Sequence, residues 1–267
     1  MIKYFIYFFD ASNTTEGRYT VNTSDTHAAA NQIRSDEHIR TAALVGWDGV
    51  DALARARVAV FGVGGVGGHV CEALARAGVG HIDLIDRDTV SLSNINRQIV
   101  ALHSTVGRAK VEVMAERIRD INPQCVVNAY EAFYLPETAD EFPLNNYDYV
   151  ADAVDTVAAK IELARRCHEA GIPLIAAMGA GNKLYPERFR ISDLSKTQTD
   201  PLARIMRREL KKYGIHHLKV VWSDEEPRQS DLVTPEGKPA PGSLAHVPSV
   251  MGLIMAGEII RSLTHTE

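Results

Sequence analysis

Val58-Ala59-Val60-Phe61-Gly62-Val63-Gly64-Gly65-Val66-Gly67 is the stretch that decides the fold. Four apolar residues form a strand, and the glycines after them form a tight turn that opens a helix. Such a turn lets the phosphates of a ligand approach the backbone, where the helix N-terminus presents free N–H groups and positive dipole charge. A second apolar run, Ile82-Asp83-Leu84-Ile85, ends at Asp86, nineteen residues after Gly67. An acidic residue at that spacing holds a ribose hydroxyl. The chain is therefore expected to bind a nucleotide, with Gly62, Gly64, Gly65 and Gly67 on the phosphates and Asp86 on the ribose.

Outward from this unit, strands alternate with helices. Asp48–Ala54 reads as a short leading helix, Arg57–Phe61 as a strand with its helix at Val66–Ala77, and His81–Ile85 as the second strand. Val106–Ile121 reads as a long amphipathic helix stopped by Asn122-Pro123. Cys125–Tyr130, Tyr147–Ala151 and Pro173–Ala177 read as strands, and Val157–Ala170 as a helix closed by Gly171. This alternation predicts an α/β, Rossmann-like fold, a mostly parallel sheet with helices on both faces. Phe189–Ile191 and Leu218–Trp222 suggest a more antiparallel C-terminal portion. The four prolines of residues 223–242 mark a surface loop, and Val247–Leu263 is the closing helix.

The 267 residues are 45% hydrophobic and 24% charged, an ordinary globular composition. A net charge of -5 gives no global basic signature, so a nucleic-acid partner would have to meet a local patch. Cys71, Cys125 and Cys167 form no C-x-x-C pair. That speaks against a structural zinc site or a disulfide framework and fits a reducing cytoplasm. Ile2–Phe9 is apolar but far short of the ~20 residues of a spanning helix. Glu258 and Arg261 make the closing helix a buried or subunit-contact helix rather than a stable membrane span. Residues 1–33 are expected to be a peripheral or poorly ordered extension, and 34–267 the nucleotide-binding domain.

Glycine turns also serve dehydrogenases, so further residues must choose the nucleotide. Asp86-Arg87-Asp88 puts two carboxylates at one strand end. Asn94-Ile95-Asn96-Arg97-Gln98 supplies a planar guanidinium suited to charge on a phosphoryl group. Lys110 can reach the phosphates. Asp152-Ala153-Val154-Asp155 ends a strand at the carboxyl edge of the sheet, where a carboxylate can hold Mg²⁺. These favour ATP over NAD. Blander readings stand beside each: Asp88 and Asn94 suit turns, and Arg97 and Lys110 suit solvated charge. Asp152 reads as a strand-end residue and Asp155 as the ligand. The adjacent His216 and His217 point to opposite faces of a strand and make no metal pair.

The ordered motifs G-x-G-G-x-G, D-x-D, N-x-x-R-Q, the lysine and D-x-x-D resemble the ThiF/MoeB-type enzymes, relatives of the ubiquitin-activating enzymes, over roughly residues 38–264. Within that family, Asn94–Gln98, Ala115–Pro123, Met178–Leu184 and Asp200-Pro201-Leu202-Ala203 look most like the branch that dehydrates threonylcarbamoyladenosine in tRNA. The resemblance implies ATP-dependent activation of the threonyl carboxylate followed by ring closure. It implies Asp88, Asn94, Arg97, Gln98 and Lys110 on the triphosphate, Asp155 on Mg²⁺, and Arg40 reaching the ATP of the partner in a homodimer. Residues 1–33 match nothing in the family pattern. The rival reading is adenylation of a ubiquitin-like sulfur carrier; an NAD-dependent oxidoreductase and a silent scaffold for a cysteine-desulfurase system are weaker. An alkali cation, a sulfur-transfer partner, the tRNAs used and the product nucleotide stay open. Pro201–Tyr213, read as a helix, sets Leu202, Met206, Leu210 and Tyr213 against Arg204, Arg207, Arg208, Lys211 and Lys212. That basic face is the candidate tRNA contact, although a solvated amphipathic helix has the same pattern.

Overall fold

A computed structural model describes residues 36–229, 232–233, 237 and 241–266. The extension expected at 1–33 lies outside the described residues. Seven strands form one sheet in the order β3-β2-β1-β4-β5-β7-β6. They are β1 (Arg57–Phe61), β2 (His81–Ile85), β3 (Val126–Tyr130), β4 (Tyr149–Asp152), β5 (Leu174–Ala177), β6 (Phe189–Asp193) and β7 (Lys219–Ser223). All neighbours pair in parallel except β6, which runs antiparallel to β7. The antiparallel portion is thus narrower than expected, because β7 continues the parallel sheet beside β5.

The helices are α1 (Ile39–Arg55), α2 (Gly67–Ala77), α3 (Lys110–Ile121), α4 (Val157–Ala170), α5 (Pro201–Leu210) and α6 (His246–Thr264). Strand alternation divides the core in two. Val58, Val60, Ile82, Leu84 and Ala151 pack toward Leu53, Leu74, Met114, Met251 and Met255 of α1, α2, α3 and α6. Ala59, Phe61, Ile85 and Val150 pack toward Leu163, Cys167, Met206 and Leu210 of α4 and α5. Each fully buried Val, Leu, Ile, Phe or Met among them contributes roughly 1.5–3 kcal/mol. α6 is long and apolar enough to cross a membrane by length and composition, but its Val247, Met251, Met255 and Ile259 are buried against the fold.

Several boundaries move for local reasons. α1 begins nine residues before the expected helix at Asp48 and turns at Gly46, whose positive φ of 72° breaks the helical run. α3 begins at Lys110 rather than Val106, because residues 105–109 are drawn into a turn. There the Gly107 N–H donates to the Val90 carbonyl and the Val90 N–H to that of Arg108. α5 stops at Leu210 and continues as a single 3₁₀ turn over Lys211–Tyr213.

Candidate active site

The sheet order reverses beside β1, whose neighbours β2 and β4 lead away in opposite directions. The crevice outside the carboxyl ends of these three strands is where an open α/β sheet binds its ligand. Gly62 leaves β1 with φ +87°, and a Cβ there would lie 2.6 Å from the Ala153 carbonyl oxygen. A Cβ on Gly67 would overlap the Gly62 carbonyl oxygen. These two glycines are required by the turn itself. Gly64 is different: a Cβ would sit 3.7 Å from Gln98 Nε2 with nothing closer. A Cβ on Gly65 would meet Pro248 of α6 at 3.2 Å, and one on Gly252 would overlap the Val66 carbonyl oxygen. α6 therefore backs the glycine turn. His69, in the first turn of α2, bonds the Gly65 carbonyl at 3.0 Å through Nδ1.

Asp86 accepts from the Val63 N–H at 2.7 Å and from the Asp88 N–H at 2.8 Å, tying the glycine turn to the end of β2. A carboxylate oxygen accepts more than one hydrogen bond, so a ribose hydroxyl can still be held. Lys110 opens α3 with its side chain buried, and its ammonium donates to Asp88 Oδ2 at 2.8 Å. Asn94 accepts from the Ser91 N–H at 3.1 Å through its side-chain oxygen, which shapes the turn carrying Arg97 and Gln98. Arg97 Nη1 donates to the Ser93 carbonyl and to Asn96 Oδ1, both at 2.9 Å. Its other guanidinium nitrogens make no hydrogen bond among the described residues. Gln98 is buried against Gly64, and its Oε1 has no hydrogen-bond partner among the described residues. A buried acceptor left unpaired costs about 1–3 kcal/mol.

Across the crevice, Asp152 and Asp155 differ in burial and in partners. Asp152 is fully buried and pairs with Lys160 Nζ at 2.9 Å; burial raises its carboxyl above the usual range and the ammonium opposes this. Asp155 is exposed and accepts a hydrogen bond from the Thr156 hydroxyl at 3.4 Å. Mg²⁺ is commonly bound by one or two carboxylates plus phosphate oxygens and water. Asp155, an exposed carboxylate, is a group of the type that suits such an ion, whereas no group of three His, Cys, Asp or Glu that could hold a metal occurs among the described residues.

Two features escaped the sequence. Lys160 gave no signal, being one lysine in an amphipathic helix. Lys183 is buried and donates to the Gly179 carbonyl and to Asp200 Oδ2, while Asp200 also caps α5 by accepting from the Ala203 N–H at 3.0 Å. The Asp-Pro start of that helix was readable, but its buried partner was not. Arg40 lies exposed in the first turn of α1 and makes no contact with the site among the described residues. His217 faces Asp193 at 3.2 Å through Nδ1. The three cysteines are buried and free, and burial pushes the Cys125 thiol up to about 11 and that of Cys167 to about 12.

The basic helix needs correction. Arg207 turns inward and donates to the Leu194 and Thr197 carbonyls and the Thr197 hydroxyl. Arg208 and Lys212 both pair with Glu209. Tyr213 is exposed rather than part of the apolar face. Arg204 and Lys211 remain as exposed cations without partners among the described residues.

The chain is 47% identical over 231 residues to the tRNA threonylcarbamoyladenosine dehydratase of Bacillus subtilis (strain 168), covering 82% of this chain and 91% of that protein. The structure of the Escherichia coli tRNA N6-threonylcarbamoyladenosine dehydratase, TcdA, in complex with AMP superimposes with a TM-score of 0.78 at 38% identity, covering 85% of this chain and 93% of the other. The same enzyme in complex with ATP gives 0.76 at the same identity and coverage. A family model described as the ThiF family matches residues 36–267. The chain therefore belongs to the ThiF family.

Proposed function

We propose that the protein uses ATP to activate the carboxylate of threonylcarbamoyladenosine in tRNA and closes it into a ring with loss of water. The observation that carries this reading is the Arg97–Gln98 segment set against the glycine turn, in a chain 47% identical to a protein of that name. A threonyl carboxylate oxygen attacks a phosphorus of ATP and displaces the remaining phosphate chain, giving a mixed anhydride. A nitrogen or oxygen of the same substituent then attacks the carbonyl carbon. The phosphorylated oxygen leaves with the nucleotide or phosphate, and a proton passes to solvent. No enzyme nucleophile is required, because proximity within one substituent supplies the attack.

The residues divide the work. The backbone of Gly62–Gly67 holds phosphates and Asp86 the ribose. Lys110, aimed by Asp88, and the free side of Arg97 meet phosphoryl charge, while Gln98 and Asn94 order the segment beside it. Asp155 would hold Mg²⁺, which supplies charge neutralisation between phosphate oxygens when bound. Residues 34–267 act as one adenylating domain, with 1–33 an extension to it. The exposed Arg40 and the exposed apolar Leu44 and Leu253 favour a homodimer in which Arg40 serves the partner's site. Action on tRNA is consistent with a cytoplasmic protein.

The test is mass spectrometry of nucleosides from tRNA bearing threonylcarbamoyladenosine after incubation with the protein and Mg-ATP. Loss of one water from the modified nucleoside is the expected result. An unchanged nucleoside, with ATP still bound, would instead direct attention to a carrier-protein C-terminus as the carboxylate.

The exposed part of the α5 region, Arg204 and Lys211 with the paired Arg208 and Lys212, is the proposed tRNA contact, and Arg207 supports it from within. Charge reversal at Arg204 and Lys211 should weaken tRNA binding and lower its salt slope by roughly 0.7–0.9 per lost phosphate contact. ATP affinity should not change. An unaltered salt slope would remove this surface from the reading.

A further inference from the structure

Lys160 is fully buried, as is its partner Asp152. A buried ion pair is a poor device for stability, since apolar residues of similar volume often serve as well or better. What this pair holds is more informative. Lys160 sits in the first turn of α4, and its ammonium donates to Asp152 Oδ1 at 2.9 Å and to the Val154 carbonyl at 3.1 Å. The Val154 N–H donates to the same Asp152 oxygen at 3.2 Å, and the Ala153 N–H to the Phe61 carbonyl at 2.8 Å. Every peptide group from the end of β4 to Asp155 is thereby fixed. The carbonyl that Lys160 grips belongs to the peptide plane joining Val154 to Asp155, so the ammonium sets the direction in which Asp155 leaves the sheet. The same short link carries the Ala153 carbonyl that closes over Gly62.

We propose that Lys160, anchored by Asp152, is a positioning residue that aims the Asp155 carboxylate at the metal on the ATP phosphates. This rests on the assignment of Asp155 made above. Lys160 touches neither nucleotide nor metal; it acts through the peptide plane it holds. Residues of this kind, one step removed from a metal ligand, affect metal affinity by about 10–100-fold.

The test measures binding of ATP by calorimetry as magnesium is titrated, in the whole protein. Asp152→Asn combined with Lys160→Met removes both buried charges at once, so neither is left unpaired and the fold is retained, as judged by its melting curve. The half-saturating magnesium concentration should rise about tenfold or more, while ATP binding without metal stays within about twofold of the parent. Lys160→Arg, which keeps a cation at this position, should recover most of the magnesium response. Asp155→Asn is measured in parallel and should shift the magnesium requirement in the same direction. If Asp155→Asn shifts it and the folded double variant does not, the role of Lys160 is overturned and the Asp155 assignment stands. If Asp155→Asn has no effect, the assignment itself fails and takes this inference with it.

Discussion

Arg97→Ala should lower turnover of the modified tRNA by roughly 10²–10³-fold with little change in ATP affinity, as expected for loss of one donor that acts on developing charge. The geometry supports a loss confined to the chemical step. Among the described residues only Nη1 of the guanidinium is engaged, on the Ser93 carbonyl and Asn96 Oδ1, and these bonds aim the rest of the group. The side chain is only partly buried, so its removal opens no core cavity and the melting temperature should hold. Single-turnover kinetics beside equilibrium ATP binding would separate the two effects. A proportional loss of ATP affinity would make Arg97 a ground-state binder instead. Mixing this variant with Arg40→Ala adds a test of the homodimer. If Arg40 serves the partner's site, mixed dimers contain one site with both arginines, and the mixture should regain activity that neither variant has alone.

Gly67→Ala should abolish ATP binding and destabilise the fold by about 3 kcal/mol, at the upper end of what overpacking usually costs. The added methyl group would overlap the Gly62 carbonyl oxygen, a backbone atom that cannot swing aside. For a domain of this size that is a fall of roughly 6–12 °C in melting temperature. Gly64→Ala is the informative contrast, because its methyl group finds 3.7 Å of room beside Gln98. That variant should melt like the parent and still bind ATP poorly, since the methyl would stand where phosphates approach the backbone. Thermal melts with and without ATP read both. A Gly64→Ala protein that binds ATP normally would show that the phosphates lie elsewhere.

What was legible in the sequence was local chemistry. Apolar runs ending in glycine or aspartate gave β1 and β2 to the residue, and Val157–Ala170, closed by the left-handed Gly171, has the bounds expected for α4. The candidate nucleotide residues Gly62, Asp86 and Lys110 could be placed from the sequence because they lie at strand ends or a helix start, where side chains converge whatever the partner. Pairings set by the third dimension were not legible. Nothing in Leu218–Trp222 states that this strand joins β5 in parallel, because direction is chosen by the connection before it. Arg207 was read as exposed because it is charged. It lies four residues after Ala203 and three before Leu210, beside the buried stripe, and its length reaches the carbonyls of Leu194 and Thr197. Lys160 and Lys183 escaped for the same reason: a buried lysine is visible only once its carboxylate and carbonyl are placed next to it.

The packing of α6 on the glycine turn has a consequence for how the protein is made. Pro248 meets Gly65 and Gly252 meets Val66, yet α6 follows every other described element in chain order. During synthesis, at roughly 5–20 residues per second, the phosphate turn emerges nearly two hundred residues before the helix that backs it. Until then the turn lacks its rear wall. A ribosome-bound nascent chain therefore has no finished nucleotide pocket until α6 has emerged, and competence for ATP waits on that helix rather than on the turn itself.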